Sequence, residues 1–296
     1  MGLTATDIEL LLELRSKNSS CKRIATIGSL SLYLHSRQLK RLKSLLPGSR
    51  ALEDYRWGDT ADALLKELTG ANEVTSVDMS DYQGSTIVHD MNLPLAPLRP
   101  DLAEQFDLVI DGGTLEHVFN FPIAVSNLMF LLRKGGYVLT ANPANNLCGH
   151  GFYQFTPELM HRVYCRANGF RIVYVLLTKA RHMSVEMDPS PVSYSVNDPM
   201  KLGRRVLLRN RRPVVIRALA EKVADQPTEG LTVQQSDYVA AWSGAKPAPA
   251  RNGIKAALRA VFDRLPRPLQ SRVSDIVSRT NLHNPAAMQR WRGQLE

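Results

Sequence analysis

Short apolar runs, each stopping at an acid or a glycine and each followed by a segment of helical period, recur through the first two thirds of the chain. The clearest is Phe106-Asp107-Leu108-Val109-Ile110, which breaks off at Asp111-Gly112-Gly113. A run this short and this apolar predicts a strand buried on both faces. Its two glycines permit a sharp turn and a close backbone approach. Thr114 is placed to cap a helix starting at Leu115, with Glu116 and His117 on its first turn. The same reasoning predicts strands over 23–28, 73–78, 87–88, 137–140 (ended by Pro143), 170–177 and 214–219. Helices are expected over 6–15, 37–46, 61–68 and 123–132, and from Pro157 behind a Thr156 N-cap. The run 206–208, set before 209–212, predicts an antiparallel hairpin with 214–219. Strands alternating with helices make an α/β fold with a largely parallel sheet. Such sheets bind ligands beyond the carboxyl ends of their strands, so the residues where strands stop are the candidates for chemistry.

The first strand ends at Gly28 and Ser29 without the glycine-rich turn that a dinucleotide site needs. The helix that leads to the second strand opens only at Trp57-Gly58-Asp59-Thr60. This spacing predicts a glycine loop split by an insertion near 30–56, with Gly28 at the strand end and Gly58 at the helix start. Asp78, followed by Met79, closes the second strand. An acid there accepts hydrogen bonds from both hydroxyls of an adenosine ribose; the other reading is a turn or cap acid. Asp90 closes the third strand, where it can accept from an adenine amine while Met91 lies on the ring face.

Apolar content of 44% and charged content of 22% describe an ordinary globular protein. No apolar run is long enough to span a bilayer. Met1-Gly2-Leu3-Thr4 lacks the basic-then-apolar form of a secretory leader, and the three cysteines have no metal-like spacing. A cytoplasmic protein with reduced thiols is the expectation, and no metal is expected. The net charge of +9 is uneven: residues 200–296 hold 18 Lys+Arg against 7 Asp+Glu, and the rest 19 against 21. Attraction to an anionic partner therefore belongs to the C-terminal third. There Ile254, Leu258, Val261, Phe262 and Leu265 share a helical face close to Arg251, Lys255 and Arg259. That helix suits contact with an anionic membrane or polyanion, or docking on the domain or a second subunit.

The strand order, the acids Asp78 and Asp90, Leu115-Glu116-His117-Val118, Leu131-Leu132-Arg133-Lys134-Gly135-Gly136-Tyr137 and the 150–159 loop-helix together resemble a class I S-adenosylmethionine-dependent methyltransferase. More narrowly, 112–119 with 151–155 is similar to a bacterial subgroup found among glycan and secondary-metabolite biosynthesis proteins. The resemblance implies a Rossmann-like seven-stranded sheet with one antiparallel strand over 1–225, followed by a basic helical extension over 226–296. It implies S-adenosylmethionine as cofactor, held by Gly28, Ser29, Gly58, Asp78, Met79, Asp90, Met91, Asp111, Gly112 and Gly113. His117, His150 and Tyr153 are the candidate general bases for an acceptor hydroxyl, because they fall on loops and helix starts at strand tips. The expected function is methyl transfer to a small molecule or glycan, most naturally at oxygen. A catalytically inactive cofactor-binding partner and an RNA-modifying methyltransferase using the basic tail are the alternatives. A homo-oligomer is also compatible with the sequence.

Overall fold

The computed structural model describes residues 2–16, 21–181, 184–202, 210–227, 230–244, 261–280 and 287–294. The chain opens with β1 (Gly2–Thr4), α1 (Ala5–Ser16) and β2 (Arg23–Ile27). Next come β3 (Ser31–Tyr33), α2 (Ser36–Leu45), α3 (Arg50–Glu53), α4 (Asp62–Thr69) and β4 (Glu73–Asp78). β5 (Ile87–Val88) and α5 (Leu95–Leu98) lead to β6 (Phe106–Asp111), α6 (Phe121–Leu131) and β7 (Leu132–Asn145). The remainder is α7 (Pro157–Val163), β8 (Phe170–Lys179), β9 (Val192–Val196), α8 (Pro199–Leu202), β10 (Val214–Lys222), α9 (Ser236–Trp242), α10 (Arg267–Thr280) and β11 (Met288–Trp291).

Every residue of β6 is buried, as its apolar run requires, and the sheet is built around it. The order is β11-β9-β8-β10-β7-β6-β2-β4-β5. Strands β5, β4, β2, β6 and β7 are parallel, and β10 runs antiparallel between β7 and β8. These seven strands are those the sequence predicts. Beyond them β9 and β11 extend the β8 edge with antiparallel pairing, which covers a ladder that would otherwise face outward. The C-terminal extension is thus helical at α9 and α10 and returns as the outer strand. Val206–Leu208, expected to pair with β10, lie outside the described residues, and both edges of β10 are taken by β7 and β8.

Successive strand residues face opposite sides, so the sheet carries two cores. Val109 and Val138 pack with Leu128 of α6 and Met160 of α7, while Leu108, Ile110 and Leu139 pack with Leu11 of α1 and Leu65 of α4. Helix α1, with its pattern of an amphipathic cover, is instead buried along nearly its whole length. Its Asp7 is fully enclosed and held by Arg217 of β10, with Nε donating to Oδ1 at 2.6 Å and Nη2 to Oδ2 at 3.1 Å.

Three local departures bear on the site. The expected turn at 133–136 is a bulge inside β7, whose pairing to β6 jumps from Phe106↔Leu132 to Leu108↔Tyr137. Pro143 does not end β7, because a register shift at Val214/Val215 of β10 absorbs its missing donor. The insertion after β2 folds back on its own ends: Leu32 N donates to Asp59 O, Gly58 N to Leu32 O and Ala61 N to Leu30 O. That ladder returns the chain beside its starting point before α4 begins.

Candidate functional site

The carboxyl ends of β4, β2 and β6 lie side by side. The chain leaves β2 for β4 on one side and reaches β6 on the other, so a topological switch point falls between β2 and β6. Gly28, with φ of 79°, turns the chain at the tip of β2, and its N–H donates to Val77 O at 2.7 Å. Ser29 beside it is half-buried. Asp78 closes β4 with a half-buried carboxylate whose Oδ1 accepts from Met79 N at 2.7 Å. Asp90 follows β5, and its Oδ1 accepts from both the backbone and the side-chain amide of Asn92. Those two bonds outweigh its slight desolvation and hold it below the usual carboxylate range. Met79 is 65% exposed and open to a ligand, whereas Met91 is 5% exposed and packed in the core, so Met91 does not present a face for a ring. Gly58 is exposed and lies opposite Leu32, on the outer rung of the insertion ladder.

Beyond the switch point the geometry changes. Asp111 is fully buried: Oδ1 accepts from Thr114 N at 2.8 Å and Leu115 N at 3.3 Å, and Oδ2 from Asn142 Nδ2 at 2.6 Å. Asp111, rather than Thr114, therefore caps the turn, which is a short 3₁₀ helix over Leu115–His117. The Thr114 hydroxyl donates to Ile27 O and ties the tip of β6 to β2. Gly113, with φ of 105°, makes the bend a side chain would resist. Gly112 is covered, because Gly2 N donates to its carbonyl and a Cβ there would come within 2.8 Å of Leu30 Cδ2. Asp111, expected among the cofactor-binding residues, is thus enclosed, while Gly112 is partly covered by β1 and Leu30 and still lines the cavity beyond.

The cover bounds a cavity of about 240 Å³ whose wall includes Gly112, Gly113, Glu116, His117, Asn142 and His150, with Ser184–Glu186 opposite. Glu116 is buried, and its Oε2 accepts from Asn142 Nδ2 at 3.1 Å, so one amide bridges two carboxylates. Burial, then the charge of Glu116, raises the Asp111 carboxyl far above its ordinary range, and burial moves Glu116 upward as well. Phe152 N and Tyr153 N both donate to Glu116 O, and a Cβ on Gly151 would stand 2.8 Å from that carbonyl. This docking carries His150 to His117, with ring centroids 5.3 Å apart. Glu116 Oε1 lies 3.9 Å from His117 Nε2 and 3.6 Å from His150 Nε2. Burial, followed by the charge of His150, lowers the His117 pKa and favours neutral imidazole. Tyr153 is placed differently: its hydroxyl donates to Phe119 O at 2.7 Å, which makes it a positioning residue for the loop.

Of the residues expected from sequence, the structure gathers Gly28, Ser29, Asp78, Met79 and Asp90 along the strand tips, and Gly112, Gly113, His117 and His150 around the cavity. Sequence reasoning missed Asn142 and undervalued Glu116. The available signals were the Glu116-His117 adjacency after a strand and the glycines flanking His150.

No family model matches the sequence, and no curated protein matches it. Among solved structures, the chain is similar to the N-methyltransferase NodS from Bradyrhizobium japonicum with S-adenosyl-L-homocysteine, at 13% identity and TM-score 0.40, covering 74% of this chain and 86% of that one. It is similar to TehB from Haemophilus influenzae at 13% identity and TM-score 0.38, covering 72% of this chain and 61% of that one. A third is the 1,6-didemethyltoxoflavin-N1-methyltransferase from Burkholderia thailandensis, at 14% identity and TM-score 0.38, covering 74% of this chain and 78% of that one.

Proposed function

We propose that the protein is an S-adenosylmethionine-dependent methyltransferase acting on a small molecule or glycan, with oxygen as the favoured acceptor atom. The observation that carries this reading is the strand-tip row. A positive-φ glycine ends β2 at the switch point, and a half-buried carboxylate ends the adjacent β4. This arrangement fits the adenosine half of the cofactor. Asp78 would accept from the ribose hydroxyls, Asp90 through its second oxygen from the adenine amine, and Gly28-Ser29 would let the backbone approach.

When bound, the cofactor supplies a methyl group already activated on a sulfonium, so the protein's task is chiefly alignment. The His117–His150 pair at the cavity is where an acceptor hydroxyl would be activated, and neutral imidazole at His117 suits that role. The exposed Phe119 and Phe152 rings, edge to face at 6.2 Å, give a planar or sugar-like acceptor an apolar surface beside it.

Calorimetric titration with S-adenosylmethionine, S-adenosylhomocysteine and NAD tests the reading. Saturable binding of the first two is expected, weakened about 10–100-fold in Asp78→Ala, the range for losing hydrogen bonds to a charged group. Binding of neither would overturn it.

A further inference from the structure

We propose that Glu116, His117 and His150 form a binding site for a divalent first-row transition-metal ion at the cavity. The three side chains offer one carboxylate oxygen and two imidazole nitrogens within 4.8 Å of one another. Tetrahedral donors about 2.0 Å from an ion stand about 3.3 Å apart, so the observed 3.6 and 3.9 Å separations from Glu116 Oε1 close by small rotations of the rings. The rings are free to make them, with His117 44% and His150 53% exposed, while Glu116 is fixed at 2%. A set of imidazole and carboxylate donors suits Zn²⁺, Fe²⁺ or Mn²⁺.

The surroundings point the same way. Glu116 Oε2 is oriented by Asn142 Nδ2, which leaves Oε1 turned toward the two histidines; this is the arrangement by which outer-shell partners hold a ligating carboxylate. Asn142 is 1% exposed, lines the cavity, and its Oδ1 has no hydrogen-bond partner. A metal-bound water is a donor of the kind that this atom lacks. Two carboxylates, Asp111 and Glu116, are buried together here, and among the described residues no Lys or Arg pairs with either. Arg217, which also lines the cavity, is engaged by Asp7.

Three protein donors leave coordination positions open, as in catalytic rather than structural metal sites. In the methyl-transfer reading, on which this role rests, an acceptor oxygen would take an open position. With both imidazoles ligating, neither serves as the base: the ion takes over activation from the histidine pair, and the acceptor proton would leave to water at lower cost because the ion stabilises the oxyanion.

The test uses the full chain without a polyhistidine tag, stripped with chelator and titrated with Co²⁺, followed in the visible d–d bands. Saturation at one ion per chain is expected. His150→Ala and His117→Ala, both at exposed side chains, are expected to weaken binding beyond the about 10–100-fold that outer-shell losses cost. Absence of saturable binding, or unchanged affinity in both variants, would overturn the site. S-adenosylhomocysteine calorimetry on the same samples separates the two proposals. Co²⁺ binding without cofactor binding keeps the metal site and removes its acceptor role, whereas cofactor binding without Co²⁺ binding does the reverse for the metal.

Discussion

Strand β6 carries an aspartate near each end, and the two ends have opposite characters. Asp107, at the start, accepts from Lys22 N and Arg23 N at 2.8 Å each and from Arg133 Nε at 2.6 Å. Burial alone would raise its pKa, but these donors outweigh burial and hold it below the ordinary value. Asp111, at the other end, has only neutral donors and sits near a second buried acid, so its pKa moves up. The strand and the residue type are the same; what differs is the supply of positive charge. At the amino end the β7 bulge swings Arg133 across to satisfy the acid. At the carboxyl end no cationic side chain among the described residues reaches Asp111, so burial and the neighbouring Glu116 favour its protonated form.

Substitution should break this contrast most clearly at the amino end. Asp107→Ala removes a charged acceptor and strands its donors, and is expected to cost about 2–3 kcal/mol at pH 7, measured by urea unfolding. Because the folded-state pKa is depressed, that stabilisation is present above the ordinary value of about 3.9 and is lost as pH falls through the folded value. The penalty should therefore shrink in acid.

Asp111→Asn is expected to have a smaller effect of the opposite sign. It keeps an acceptor for Thr114 N and Leu115 N, while turning Asn142 Oδ1 to meet the new amide withdraws Nδ2 from Glu116 Oε2, which offsets part of the gain. A raised folded-state pKa means stability present below about 3.9 and lost as pH rises through the folded value. The variant escapes that loss, so its melting temperature relative to the parent should climb from pH 5 to pH 8, on the order of 1 kcal/mol in stability. A variant that melts lower than the parent at pH 8 would show that Asp111 is as structural as Asp107. Arg133→Ala should do least, about 0.2–1 kcal/mol, because its side chain is 43% exposed and the backbone donors to Asp107 remain.

The runs at 23–27 and 106–111 were legible because a strand buried on both faces needs little but hydrophobicity, whereas 73–78, half-buried and alternating, was legible from its place after a helix and its terminal acid. Their terminal acids were legible as site residues because strand ends in such a sheet face one crevice. Asn142 was hidden, since nothing in a lone Asn before Pro143 distinguishes a strand residue bridging two carboxylates from one in a loop. Met91 was misplaced for a related reason: a methionine beside an acid suits a ring face or a core equally well, and only packing decides.

By itself the sequence determined the order of the seven core strands and the row of Gly28, Asp78 and Asp90, which follow from local pattern and chain direction; the neighbours of β10 were not among them, since the hairpin expected with 206–208 gives way to pairing with β7 and β8. Only the tertiary structure decided that β1 and Leu30 cover Gly112, that Arg133 reaches Asp107, and that His150 meets Glu116 and His117. Those contacts join residues far apart in the chain through backbone hydrogen bonds, close glycine approaches and a side-chain ion pair, and hydrophobic period carries no information about any of them.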